Sequence, residues 1–126
     1  MKPGINHIEI WVSDIEISIQ FYKGILELIG WSQSGSIGFV SANLEIYFKE
    51  QKNLTRSNST GVRHICFQAT HETQINEVYQ YLKRKHAKII RGPIELNYSH
   101  NYLTIDFYDP DGLILEVAYT PNMGFK

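Results

Sequence analysis

A chain of 126 residues, 43% hydrophobic and 13% aromatic, is long enough to bury one core without disulfide or metal staples. Its net charge of −1 gives no footprint for nucleic acid or an anionic membrane, and no apolar run approaches a membrane span. The N-terminus lacks an apolar core of signal-peptide length and Cys66 is the single cysteine, so a soluble protein of the reducing cytoplasm is expected.

In chain order, Ile8, Ile10 and Val12 alternate with His7, Glu9 and Trp11, which predicts a half-buried strand over residues 5–12. Ile15, Ile19, Tyr22, Leu26 and Ile29 then recur at helical spacing, with Ser13 or Asp14 as the cap and Gly30 as the stop. Short strands are expected over 31–35, 37–41 and 44–49, the last two joined by an Ala42–Asn43 turn. The polar segment QKNLTRSNSTG, residues 51–61, reads as a linker.

The pattern then starts again. VRHICFQAT predicts a second alternating strand, and HETQINEVYQYLKRKHA a second amphipathic helix with Ile75, Val78, Tyr79 and Leu82 on its stripe. AKIIRG, YLTIDFY and LILEVAY predict three more strands, with DPDG as a tight turn before the last and GPIELNYSHN as a loop of about ten residues. One domain made of two β-α-β-β-β modules, residues 5–50 and 62–120, is the expected α+β architecture.

Aligning the halves sets NHIEIWV on RHICFQA, with His7 opposite His64, and ANLEIYF on LILEVAY, with Glu45 opposite Glu116. Alternation gives each strand one apolar, helix-packing side. The other side carries His7, Glu9, Trp11, Glu45, Tyr47, Lys49, His64, Cys66, Gln68, Thr104, Asp106 and Glu116. If the sheets curl into a shared cleft, its carboxylates must take up protons or bind a cation. Two imidazoles and two carboxylates suit a divalent transition metal with open positions: Zn, Ni, Mn, Co or Fe.

HIEIWVSDIEISIQFYKGIL, RHICFQA and DPDGLILEVAY, on paired β-α-β-β-β modules, resemble the vicinal-oxygen-chelate superfamily of glyoxalases, bleomycin-resistance proteins and extradiol dioxygenases. The resemblance implies metal ligands at the first and last strands of each module, here His7, Glu45, His64 and Glu116. It also implies a small substrate that chelates the metal through vicinal oxygens, lyase or isomerase chemistry with Glu45 or Glu116 moving a proton, and a homodimer. Trp11, Tyr47, Lys49, Tyr98 and Tyr102 are the expected substrate-pocket residues. Two rivals stand beside this reading. One is Fe(II) dioxygenase chemistry on His7, His64 and Glu116; the other is a metal-free protein that sequesters a drug between aromatic rings.

Overall fold

The structure, a computed structural model, describes residues 3–55, 58 and 60–123. The chain divides into two compact units, Met1–Arg56 and Ser57–Lys126, parted inside the predicted linker. Arg56, Ser57 and Ser59 of that linker lie outside the described residues.

The first unit holds β1 (His7–Val12), α1 (Ile15–Leu26), β2 (Ser32–Ser34), β3 (Gly38–Ser41) and β4 (Leu44–Glu50). Its four strands lie in the order β1-β4-β3-β2, with β1 parallel to β4 and the remaining pairs antiparallel. Asp14 rather than Ser13 starts the helix: its backbone is extended and its side chain accepts the Ile17 N–H at 3.1 Å. The helix ends at Leu26, and Gly30, at φ +101°, lets the Trp31 N–H return to the Leu26 carbonyl at 2.9 Å. Tyr22, Ile25 and Leu26 of the helix and Ile10, Val12, Phe39, Ile46 and Phe48 of the sheet are buried. Tyr22 stacks on Phe48 with ring centres 4.6 Å apart.

The second unit repeats the plan with β5 (His64–Ala69), α2 (Thr73–Arg84), β6 (Ile89–Leu96), β7 (Tyr102–Tyr108) and β8 (Ile114–Tyr119), in the order β5-β8-β7-β6. β1 and β5 share one burial pattern, residue for residue. Two expectations need correcting. The first half of the expected loop over 92–101 is strand: β6 runs on to Leu96 and absorbs Pro93 in an irregular stretch between Arg91 and Ile94, and only 97–101 form the turn. A proline is tolerated in a strand at a bulge, so it did not end this one. The buried stripe of α2 carries Tyr81 rather than Tyr79, whose ring instead receives Lys83 Nζ at 5.1 Å.

Two side chains replace missing local signals in this unit. No side chain of Glu72 caps α2; buried Gln74 ties the preceding turn, its Oε1 accepting the N–H groups of Thr70 at 2.7 Å and His71 at 3.0 Å. In the DPDG turn the buried Asp109 carboxylate accepts the N–H groups of Asp111 and Leu113 at 2.9 and 2.8 Å. Among the described residues no helix is long and apolar enough to cross a membrane.

Candidate metal centre

In the second unit, β5 and β8 pair in parallel so that Cys66 lies opposite Glu116 and His64 opposite Ile114. β7 pairs on the other side of β8, bringing Asp106 opposite Glu116. The side of this sheet away from the apolar core therefore gathers His64, Cys66, Thr104, Asp106 and Glu116.

Glu116 is only 6% exposed, an uncommon place for a carboxylate, and its partners explain how it is held there. Its Oε1 accepts from the Thr104 hydroxyl at 2.6 Å and from the Tyr102 hydroxyl at 3.0 Å. Its Oε2 is turned to His64 Nε2 at 3.3 Å. Burial, reinforced by the bond to Glu116, raises the Tyr102 phenol above its ordinary range. Loss of hydration and then the Glu116 charge push the Cys66 thiol up to about 12. A thiol so placed is protonated at neutral pH and is not an activated nucleophile.

Next along the row, Asp106 Oδ2 receives Arg91 Nη2 at 2.7 Å. Burial works against the guanidinium charge, but Asp106, with Tyr98 and Glu116 beyond it, holds its pKa above the usual value. Lys49 is thus not the only cation on the polar faces. Sequence reasoning missed Arg91, although it lies inside the expected strand AKIIRG, because spacing alone does not show that it pairs with Asp106.

The first unit carries the counterpart row. His7 lies opposite Glu45, Glu9 opposite Tyr47 and Trp11 opposite Lys49. His7 stands 5.5 Å from the Tyr47 ring, centre to centre, and its Nδ1 is 2.8 Å from Asn6 Oδ1. Trp11 is half exposed and donates its indole N–H to Glu9 at 3.2 Å.

Register corrects the alignment of the two halves. With His7 equated to His64, the position of Glu116 is filled by Tyr47, and Glu45 corresponds to Ile114. The sequence alignment had slipped by two residues, which preserves the face and so escapes a test based on alternation.

Of the expected pocket aromatics, Tyr98 is 70% exposed and meets Tyr102 edge to face, 5.3 Å between ring centres. Tyr102 is buried, with its hydroxyl committed to Glu116. Alternation of Tyr102 and Thr104 along β7 was the available signal for that pair. Among the described residues, no group of three or more His, Cys, Asp or Glu side chains forms a ready metal cage.

Residues 4–117 match the sequence family described as the Glyoxalase/Bleomycin resistance protein/Dioxygenase superfamily. The chain belongs to this superfamily. It is 32% identical over 114 residues to a metallothiol transferase FosB from Staphylococcus saprophyticus, across 89% of this chain and 74% of the relative. It is 28% identical over 126 residues to the virulence protein STM3117 of Salmonella typhimurium, across 90% and 82% of the two chains. Among solved structures, a candidate glyoxalase from Bacillus halodurans superposes with a TM-score of 0.77 at 25% identity, covering 92% of this chain and 95% of that one. The α+β fold with two four-stranded sheets is the one shared with this solved structure.

Proposed function

We propose that the protein is a metal-dependent enzyme acting on a small molecule that presents two neighbouring oxygens to a divalent metal. His64 and Glu116 would hold the metal, with His7, from the same chain or a second copy, as a further donor. The observation that carries this reading is the 3.3 Å separation of His64 Nε2 and Glu116 Oε2. Two donors about 2.1 Å from one metal, at angles between about 90 and 110°, stand about 3.0 to 3.4 Å apart. A charge-assisted hydrogen bond would instead draw the atoms to about 2.7 to 2.9 Å.

When bound, the metal supplies Lewis acidity, stabilising charge that develops on a substrate oxygen. The chain's own groups divide the other tasks. Tyr102 and Thr104 fix one oxygen of Glu116 and leave the other directed outward, which suits a stationary ligand better than a proton carrier. Glu45, beside His7 but off the position equivalent to Glu116, is the carboxylate left to take a proton from the carbon next to the chelating oxygen. Trp11, Tyr47 and Tyr98 offer aromatic surface to the substrate, and Lys49 a positive charge.

Lyase or isomerase chemistry follows from that division of roles. The metallothiol transferase relatives favour a second reading, addition of a thiol to the metal-held substrate. Cys66 is protonated, so that thiol would come from a co-substrate. Solvent deuterium entering the substrate carbon would mark the first chemistry, and consumption of free thiol the second. The protein is further proposed to act as a cytoplasmic homodimer, which light scattering at micromolar concentration checks.

The test of the central reading is elemental analysis of protein purified without chelator, with thermal melts in added Zn, Ni, Mn, Co or Fe(II). A metal at a hundredfold excess over its dissociation constant stabilises by roughly 2.7 kcal/mol. Protein that holds no metal and gains no stability from any of the five would return the function to ligand sequestration.

A further inference from the structure

Glu116, Asp106 and Arg91 stand in one row across β8, β7 and β6, each directly opposite the next and all within the second unit. The Asp106 side chain is 16% exposed and that of Arg91 40%. They meet at a single point, Arg91 Nη2 donating to Asp106 Oδ2 at 2.7 Å. A two-point pair would also join Nε to Oδ1, yet both of these atoms are buried without a partner. An ion pair built only for stability would close there, because leaving a buried donor and acceptor unmade is costly. This one is held by a corner. Among the described residues Nη1 has no partner, and unlike Nε it is not buried. The exposed Tyr98 phenol lies near the same guanidinium.

We propose that Arg91 determines specificity: anchored by Asp106, its free edge receives an oxyanion, carboxylate or phosphoryl, at the end of the substrate remote from the chelating oxygens. The proposal deepens the function given above and rests on the metal reading there. A guanidinium suits the task because its planar fork offers parallel N–H groups to two oxygens of one anion. Asp106 fixes the side chain before the ligand arrives, so less rotamer freedom is lost on binding. The row also sets the length of the substrate. Neighbouring strands lie about 4.8 Å apart, so an anion one strand beyond Glu116 is joined to the chelating oxygens by roughly two to four carbons.

The test compares ligands of equal length on metal-loaded protein. 2-Hydroxyglutarate and 2-hydroxypentanoate offer the same hydroxyl and carboxylate to a metal, and end in a carboxylate and a methyl group respectively. Calorimetry should show the unaltered protein binding the first about 10-fold more tightly or better, the worth of a charge-assisted hydrogen bond. 2-Hydroxy-4-phosphonobutanoate separates the two kinds of anion: tighter binding than 2-hydroxyglutarate assigns a phosphoryl group, and weaker binding a carboxylate. Arg91→Lys should keep part of the preference, and Arg91→Gln should abolish it.

Combining Arg91→Gln with Asp106→Asn removes both charges and separates anchoring of a ligand from neutralisation of Asp106. The preference should stay absent in this double variant. Its return to the native value would mean that Arg91 serves only to neutralise Asp106, and would overturn the proposal. Equal affinity of the unaltered, metal-loaded protein for 2-hydroxyglutarate and 2-hydroxypentanoate would overturn it as well. Failure of the metal reading shows separately, as protein that binds none of the five metals. In that case metal-free protein is titrated with glutarate and with inorganic phosphate while NMR follows the Arg91 Nε–H signal, assigned by its loss in Arg91→Lys. A saturable shift would keep Arg91 as an anion site without the metal, and no shift with either anion would end the proposal.

Discussion

Tyr47 and Glu116 occupy the same register position in the two halves, one beside Glu9 of β1 and the other beside Cys66 of β5. The internal repeat is therefore symmetrical in fold and unsymmetrical in chemistry, with a carboxylate at only one of these two equivalent positions. This asymmetry separates two carboxylates that the sequence alone treats alike. Glu116→Gln should lower metal affinity by more than about 100-fold, because even groups that merely orient ligands are worth about 10- to 100-fold. Glu45→Gln should leave metal content unchanged and lower turnover. Elemental analysis beside substrate kinetics reads both, and loss of metal from the Glu45 variant would restore it to the ligand set.

Tyr102 and Thr104 both donate to Glu116 Oε1. Tyr102→Phe and Thr104→Val should each cost about 1.5 to 3 kcal/mol of stability, the range for hydrogen bonds to charged groups. The two losses should not add, since both hydroxyls serve one oxygen. Denaturant melts of both single variants and the double variant measure this.

Cys66 supplies a pH test. Its thiol ordinarily titrates near 9.0 and is pushed up to about 12. The folded state thus favours the protonated form, so this group's contribution to stability is whole below pH 9 and declines as pH rises from there towards 12. At pH 8 the thiol therefore stays protonated. Alkylation of metal-free protein at that pH should be far slower than in denaturant, as mass spectrometry would show. A rate comparable to that of an unfolded thiol would refute the assignment.

Gly92 has φ +101°, and a Cβ placed there would lie 2.5 Å from the Thr104 carbonyl oxygen. Gly92→Ala should destabilise by about 1 to 3 kcal/mol from backbone strain, with the steric clash adding to it. A melting curve superimposable on that of the unaltered protein would contradict the close approach of β6 to β7.

Much of the fold was legible because it rests on short-range chemistry. Period-two and helical spacing located the eight strands and two helices of the described residues, and repetition of the order exposed the modules. Pro93 obscured the second half of β6, since a proline inside a strand normally signals its end. The side of each strand was also legible, because alternation depends on identity alone. Register was not: sliding β4 by two residues changes nothing in the pattern and moves Glu45 off the position of Glu116. Arg91 escaped notice for a related reason: its role depends on which atom its side chain reaches, and sequence spacing carries no such information.

The turn held by Asp109 is closed within five residues, whereas His64 and Glu116 are joined across fifty-two. Pairing of β7 with β8 is therefore cheap in chain entropy, and docking of β5 alongside β8 is expensive and should come late in folding. The two donors should then be far apart in the ensemble that crosses the folding barrier. A metal held between them can then only delay the chain's departure from the native state. Its presence should slow unfolding while leaving the refolding rate nearly untouched, making the ion a source of persistence rather than a nucleus.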